Sequence, residues 1–161
     1  MEIAGIPAMS SPSSQRGWEE FYAFVLEEGL GSPEALQCEV AYINHIEVGQ
    51  GWESMEDLSG IFPAWSGLSS KEFLPTPEGV HLRTSFLIPD GQGRLHVQVQ
   101  PAIRSSDLIQ ILQVTLTARG APRKGGTAEI LEWFDLGHEW VVRGFVDFTS
   151  TKMHELWKRE R

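Results

Sequence analysis

A chain of 161 residues with an ordinary apolar fraction is most simply one domain with a real core, and its formal charge of −9 argues against nucleic-acid binding, where Lys and Arg must be in surplus. The lone cysteine, Cys38, excludes an intrachain disulfide framework and suits a reducing compartment. No apolar run approaches the ~20 residues of a membrane span, and no basic stretch precedes an apolar one at the N-terminus, so a soluble cytoplasmic protein is expected.

Residues 1–16 are small and polar, with Ser10, Ser11, Pro12, Ser13 and Ser14 nearly in succession, and read as a flexible tail ahead of a single α+β domain over 17–161. A helix is predicted at about 17–29, with Trp18, Phe21, Tyr22, Val25 and Leu26 on its buried face and Gly29, Gly31 and Pro33 stopping it. Residues 36–47 form the first predicted strand: Cys38, Val40, Tyr42, Asn44 and Ile46 alternate with Gln37, Glu39, Ala41, Ile43 and His45. Cys38 falls on the apolar side and is expected to act as a small buried hydrophobe. Ser54 followed by Asp57 resembles a capping box and opens a short helix over 55–62, ending before Pro63. The Pro- and Gly-containing segment 63–79 is a loop, with room for a short strand at Glu72-Phe73-Leu74.

The clearest β signal comes next. Val80, Leu82, Thr84, Phe86 and Ile88 alternate with His81, Arg83, Ser85 and Leu87, and Pro89-Asp90-Gly91-Gln92-Gly93 makes a hairpin turn. Leu95, Val97, Val99, Pro101 and Ile103 alternate with Arg94, His96, Gln98 and Gln100, and Ser105-Ser106-Asp107 turns the chain again. Leu112, Val114, Leu116 and Ala118 alternate with Gln113, Thr115, Thr117 and Arg119. The pattern describes an antiparallel meander with one apolar and one polar face.

The segment Thr127–Arg159 holds three of the six tryptophans and carries the longest helical periodicity. Ile130, Phe134, Gly137, Val141, Phe145 and Phe148 follow at steps of three and four, and Trp133, Leu136 and Trp140 widen the stripe to suit a helix lying on a sheet. Gly137 and Gly144 each cost roughly 1 kcal/mol of helix propensity relative to Ala, which points to close approach of a backbone or large side chain. Thr127 is the expected N-cap behind Gly125-Gly126, and Lys158, Arg159 and Arg161 suit the negative helix end. Thr149-Ser150-Thr151 is the weak link, able to kink the helix or cap a second one over 152–160. The expected architecture is a curved antiparallel meander of about four strands packed on a long C-terminal helix, similar to the helix-grip and TATA-binding-protein-like layouts.

Three stretches, Cys38–Ile46, Leu116–Gly120, and Leu136–Phe145 continuing to Met153–Trp157, together resemble a sporadically distributed bacterial family of uncharacterised proteins. The resemblance covers roughly residues 17–160. Typical members look longer, with an N-terminal β-rich region where this chain has a Ser-rich tail. The resemblance implies the fold unit and carries no activity.

Catalytic motifs are weak. His138-Glu139 lacks the second histidine of a zinc-protease helix, since Val142 stands there, and Asp135 one turn earlier suits a plain hydrogen-bonded histidine. The loop 120–127 has phosphate-loop spacing, but Gly126 occupies the lysine position and the loop follows an antiparallel strand. A weak anion site at that helix start, aided by Arg123 and Lys124, is the most it allows. His45, His81 and His96 share the outer side of neighbouring strands, where solvated positions explain them more simply than a metal does. No metal and no cofactor are expected.

Two candidate sites remain. Asn44 is a polar residue on an inward strand face; it either bonds a loop backbone or His138, or lines a small polar pocket with Tyr42, His138 and Trp140. The outer sheet face, with Arg83, His96, Gln98, Gln113 and Arg119, is the second candidate, a docking surface for a protein partner or a second copy. The expected function is a non-catalytic interaction module working through that open sheet. The alternative is a small-molecule-binding or cyclase-like helix-grip protein, which needs a cavity of about 300 Å3 or more between helix and sheet.

Overall fold

The computed structural model describes residues 12–67, 73–123 and 126–157. Helix α1 spans Pro12–Glu27 and strand β1 Cys38–Glu47; a 3-10 turn at Met55–Asp57 runs into the short α2, Leu58–Ile61. Strands β2 (Leu82–Ile88), β3 (Gly93–Ile103) and β4 (Gln110–Gly120) lead to the long α3 (Thr127–Phe148) and the short α4 (Thr151–Leu156). The four strands form one antiparallel sheet in the order β1-β4-β3-β2, open at both sides. The architecture is α+β, with this sheet packed against α3.

The alternation sets the register. Cys38, Tyr42, Asn44 and Ile46 point inward from β1, beside Leu112, Val114, Leu116 and Ala118 of β4 and Leu95, Val97 and Val99 of β3, all buried. Helix α3 crosses this apolar face over β1 and β4 and touches β3 along one side only. Its glycines allow the approach. A Cβ on Gly137 would stand 3.1 Å from both Trp133 and Val40, and one on Gly144 would stand 2.5 Å from Leu95. Trp133 Nε1 donates to the Gln92 carbonyl at 2.8 Å, tying α3 to the β2–β3 turn. That turn places Asp90 and Gly91 at positive φ. It also brings its backbone so close to β4 that a Cβ on Gly120 would meet the Gln92 carbonyl oxygen at 1.9 Å.

Several expectations change. The predicted rod to Arg159 is two helices. Thr149 leaves the helical conformation, and Ser150 caps α4 by accepting from the Met153 amide while its own amide donates to the Ile61 carbonyl at 2.8 Å. Ser150 Oγ also donates to the Gly60 carbonyl at 2.6 Å, so the break is held by α2. Lys158, Arg159 and Arg161 lie outside the described residues. The N-cap of α3 is Gly126; Thr127 is the first helical residue, and its hydroxyl accepts from Trp18 Nε1 at 3.1 Å. Helix α1 starts at Pro12, ahead of the expected boundary at 17. Of its expected buried face, only Val25 is buried. Trp18 and Tyr22 are half-buried, while Phe21 and Leu26 are exposed, because α1 meets the rest of the described chain mainly at α3. Phe73 and Leu74 form no strand and are exposed, and Glu72 lies outside the described residues.

The Ser54–Asp57 capping box forms as expected. Asp57 Oδ2 accepts from the amides of Glu53 and Ser54, both at 2.9 Å, which holds its carboxyl below the usual carboxylate range.

Two predictions follow from this packing. Gly120→Ala is expected to lower stability by about 1–3 kcal/mol, read from the urea midpoint, because a backbone atom must move. For Asp57, the lowered folded value means its contribution is present above the ordinary carboxylate range of about 4 and is lost as pH falls through the folded value. The urea midpoint of Asp57→Asn should therefore fall less between about pH 5 and pH 2 than that of the parent chain.

Candidate functional site

Because α3 lies over β1 and β4, no described helix packs over Thr84 and Phe86 of β2 and the adjoining side of β3. A groove of about 840 Å3 runs there between α3 and the sheet. Thr84 and Phe86 of β2 and Leu95 of β3 form its floor, each on the inward-facing positions of its strand. Trp140, Gly144 and Phe148, spaced four apart along α3, form the wall. The missing side chain at Gly144 lets Leu95 rise against the helix. Ala64, from the loop after α2, closes one end.

The chemistry of the groove is mainly apolar with few polar groups. The Thr84 hydroxyl oxygen is buried and has no hydrogen-bond partner among the described residues. An unpartnered buried hydroxyl is costly unless something supplies the bond. At the rim, Glu139 and Arg143 pair with each other one turn apart at 2.5 Å, which leaves Asp147 as the rim's uncompensated charge. A smaller hollow of about 230 Å3 beside Met55 and Trp65 falls short of the volume usual for ligand sites.

Of the four residues expected to line a polar pocket, only Trp140 reaches the groove. Tyr42 and His138 meet on the other flank of α3, where the Tyr42 hydroxyl and His138 Nδ1 share a 2.7 Å hydrogen bond with the rings edge-on. Burial raises the Tyr42 phenol above its ordinary value, so the hydroxyl keeps its proton and can donate. Asn44 is buried opposite Val114, and its side chain makes no hydrogen bond among the described residues; the expected bond to His138 is replaced by the one from Tyr42. Tyr42 and His138 pin β1 to α3.

The five outer-face residues do share one surface. Arg83 pairs with Gln98, whose amide oxygen accepts from the guanidinium at 3.0 Å. His96 bonds Ser85 Oγ at 2.9 Å through Nδ1, and Arg119 pairs with Glu39 across β1 and β4. Gln113 sits mid-sheet between His45 and Gln100. His45 and His96 are two strands apart and off register, and His81 precedes β2. Among the described residues, no group of three metal-ligating side chains comes together. At the start of α3, Arg123 pairs with Asp90 at 3.1 Å, and Lys124 lies outside the described residues. No described helix is long and apolar enough to cross a membrane.

Sequence reasoning missed Thr84, Phe86 and Leu95 as site residues, since each reads as an ordinary inward strand position. The available signal was Gly144, a helical glycine at the height of the groove. Tyr42→Phe is expected to lower stability by about 1 kcal/mol, measured by urea unfolding, through loss of the bond to His138. Comparison of the chain with family models, curated proteins and solved structures gave no match in any of the three.

Proposed function

We propose that this protein is a small-molecule-binding module of helix-grip type, whose groove beside α3 takes an elongated, mainly apolar ligand with one neutral or cationic hydrogen-bonding end. The observation that carries the reading is the groove itself. Its volume of about 840 Å3 lies within the range of roughly 300–1,000 Å3 usual for small-molecule sites. Phe86, Leu95, Trp140 and Phe148 offer an apolar body its surface. Asp147 at the rim offers an acceptor to a neutral or cationic end and disfavours an anionic one, while the Thr84 hydroxyl lies beneath the floor, out of the occupant's reach. The arrangement suits binding and orientation; it does not converge on a nucleophile and base.

A second reading is favoured by a different observation. Arg83, His96, Gln98, Gln113 and Arg119 lie together on the outer sheet face, over which no described helix packs, as a surface for a protein partner or a second copy would.

The neutral dye N-phenyl-1-naphthylamine tests the groove. Saturable fluorescence enhancement with a one-to-one endpoint is expected for the parent chain. Ala64→Trp, at an exposed position at the groove end, should abolish it. Thr84→Val should leave it unchanged within about twofold, because the hydroxyl lies out of the dye's reach. Dye binding that never saturates, or that Ala64→Trp leaves unchanged, would refute the groove. If the outer face is the working surface instead, Gln113→Arg should disrupt association while dye binding stays absent.

A further inference from the structure

The two sides of the sheet are not alike. On the β1 side, the strand carries two acids, Glu39 and Glu47, in a chain of net charge −9. On the β2 side, the backbone of Leu82–Ile88 pairs with β3, and among the described residues none of its groups bonds anything else. Phe86 and Leu87, neighbours in sequence and therefore on opposite faces of this strand, are 45% and 65% exposed. An unpaired strand flanked by exposed apolar side chains on both faces is a template for strand addition.

We infer that β2 pairs antiparallel with β2 of a second copy, about a two-fold axis passing through Ser85. The argument is the strand's self-complementarity. Full overlap of the seven residues sets Ser85 against itself, Thr84 against Phe86, Arg83 against Leu87 and Leu82 against Ile88. Residues facing each other then lie on the same side of the joint sheet, as the pleat requires. No like charges meet, because the segment from Gly79 to Pro89 holds no acidic residue in a chain of net charge −9, and its one arginine faces a leucine. The arginine stem covers the exposed Leu87 of the other copy. Nothing in the strand blunts it: it has no proline and no lysine, and its register with β3 is unbroken by a bulge. The two-fold axis places both α3 helices on the same face of an eight-stranded sheet, with the two grooves facing each other across the junction. A seven-residue strand pairing is a small interface, so the dimer should form in a concentration-dependent way in the micromolar range. This inference goes beyond the ligand-binding reading and stands or falls without it.

The full chain is measured by native mass spectrometry and by light scattering across micromolar concentrations, alongside two variants. The parent chain is expected to pass from monomer to dimer. Ser85→Lys, which brings two cations together at the axis, should remain monomeric. Ser85→Cys should form a covalent dimer on mild oxidation, since facing residues in an antiparallel pair stand about 4.5–5.5 Å apart at Cα, within disulfide reach. Ile43→Cys, exposed on the far strand, should not cross-link. A parent chain that stays monomeric overturns the inference. So does a dimer that Ser85→Cys fails to lock, or one that Gln113→Arg disrupts and Ser85→Lys does not. Dye binding in Ala64→Trp is read separately, so loss of the dimer and loss of the groove are distinct results.

Discussion

One helix cannot cover four strands. An α-helix with its side chains is about 10 Å across, and strands stand about 4.8 Å apart, so a single helix shields roughly two of them. In this chain α3 settles over β1 and β4, where Gly137 meets Val40 and Tyr42 bonds His138. That choice divides the apolar face of the sheet. Under α3 the core holds Trp133, Val141 and Phe145, all buried. Beyond it Thr84 and Phe86 of β2 line the groove, which comes from that offset, while the free backbone side of β2 comes from its place at the end of the strand order.

The end of α3 is governed by polar bonding. Thr149 Oγ1 donates its single proton to the Phe145 carbonyl at 2.6 Å and so must accept from His154 Nε2, 2.7 Å away. That assigns the Nε2 proton to His154. With Ser150 bonded to both Gly60 and Ile61, the reversal lays α4 against α2. There Met153 is fully buried beside Gly51, and Trp157 stacks on Phe145 at 5.9 Å. A continuous rod would have carried Met153 and Trp157 out into solvent; the break returns them to the core.

Much of this was legible in the sequence, and the reason is periodicity. The inward rows of β1, β3 and β4 follow from alternation alone, and the Ser54–Asp57 box follows from spacing. The α3 stripe from Ile130 to Phe148 follows from steps of three and four. What periodicity does not encode is which neighbour an apolar face meets. Phe21 and Leu26 repeat like core residues yet remain exposed, because α1 meets little beyond the start of α3. Thr84 and Phe86 alternate like core residues yet floor a groove, because the helix above is displaced toward β1. Tyr42, Asn44, His138 and Trp140 were picked out for polarity or bulk, and a helix separates them: Tyr42 and His138 meet on one flank and Trp140 faces the other. The sequence marked both flanks of α3 without saying which would be hollow.

The indole of Trp52 has a mechanical effect. Ile46 faces Leu112 in the register that also carries the Val48 amide to the Gln110 carbonyl, so the Ile46 carbonyl is directed at β4 and Trp52 reaches it as a second donor from within the core. Swinging the Gly49–Gly51 turn away from the sheet would strand that indole N–H in an apolar interior without an acceptor. The turn is thereby latched to the end of β1 by a bond that solvent does not compete for.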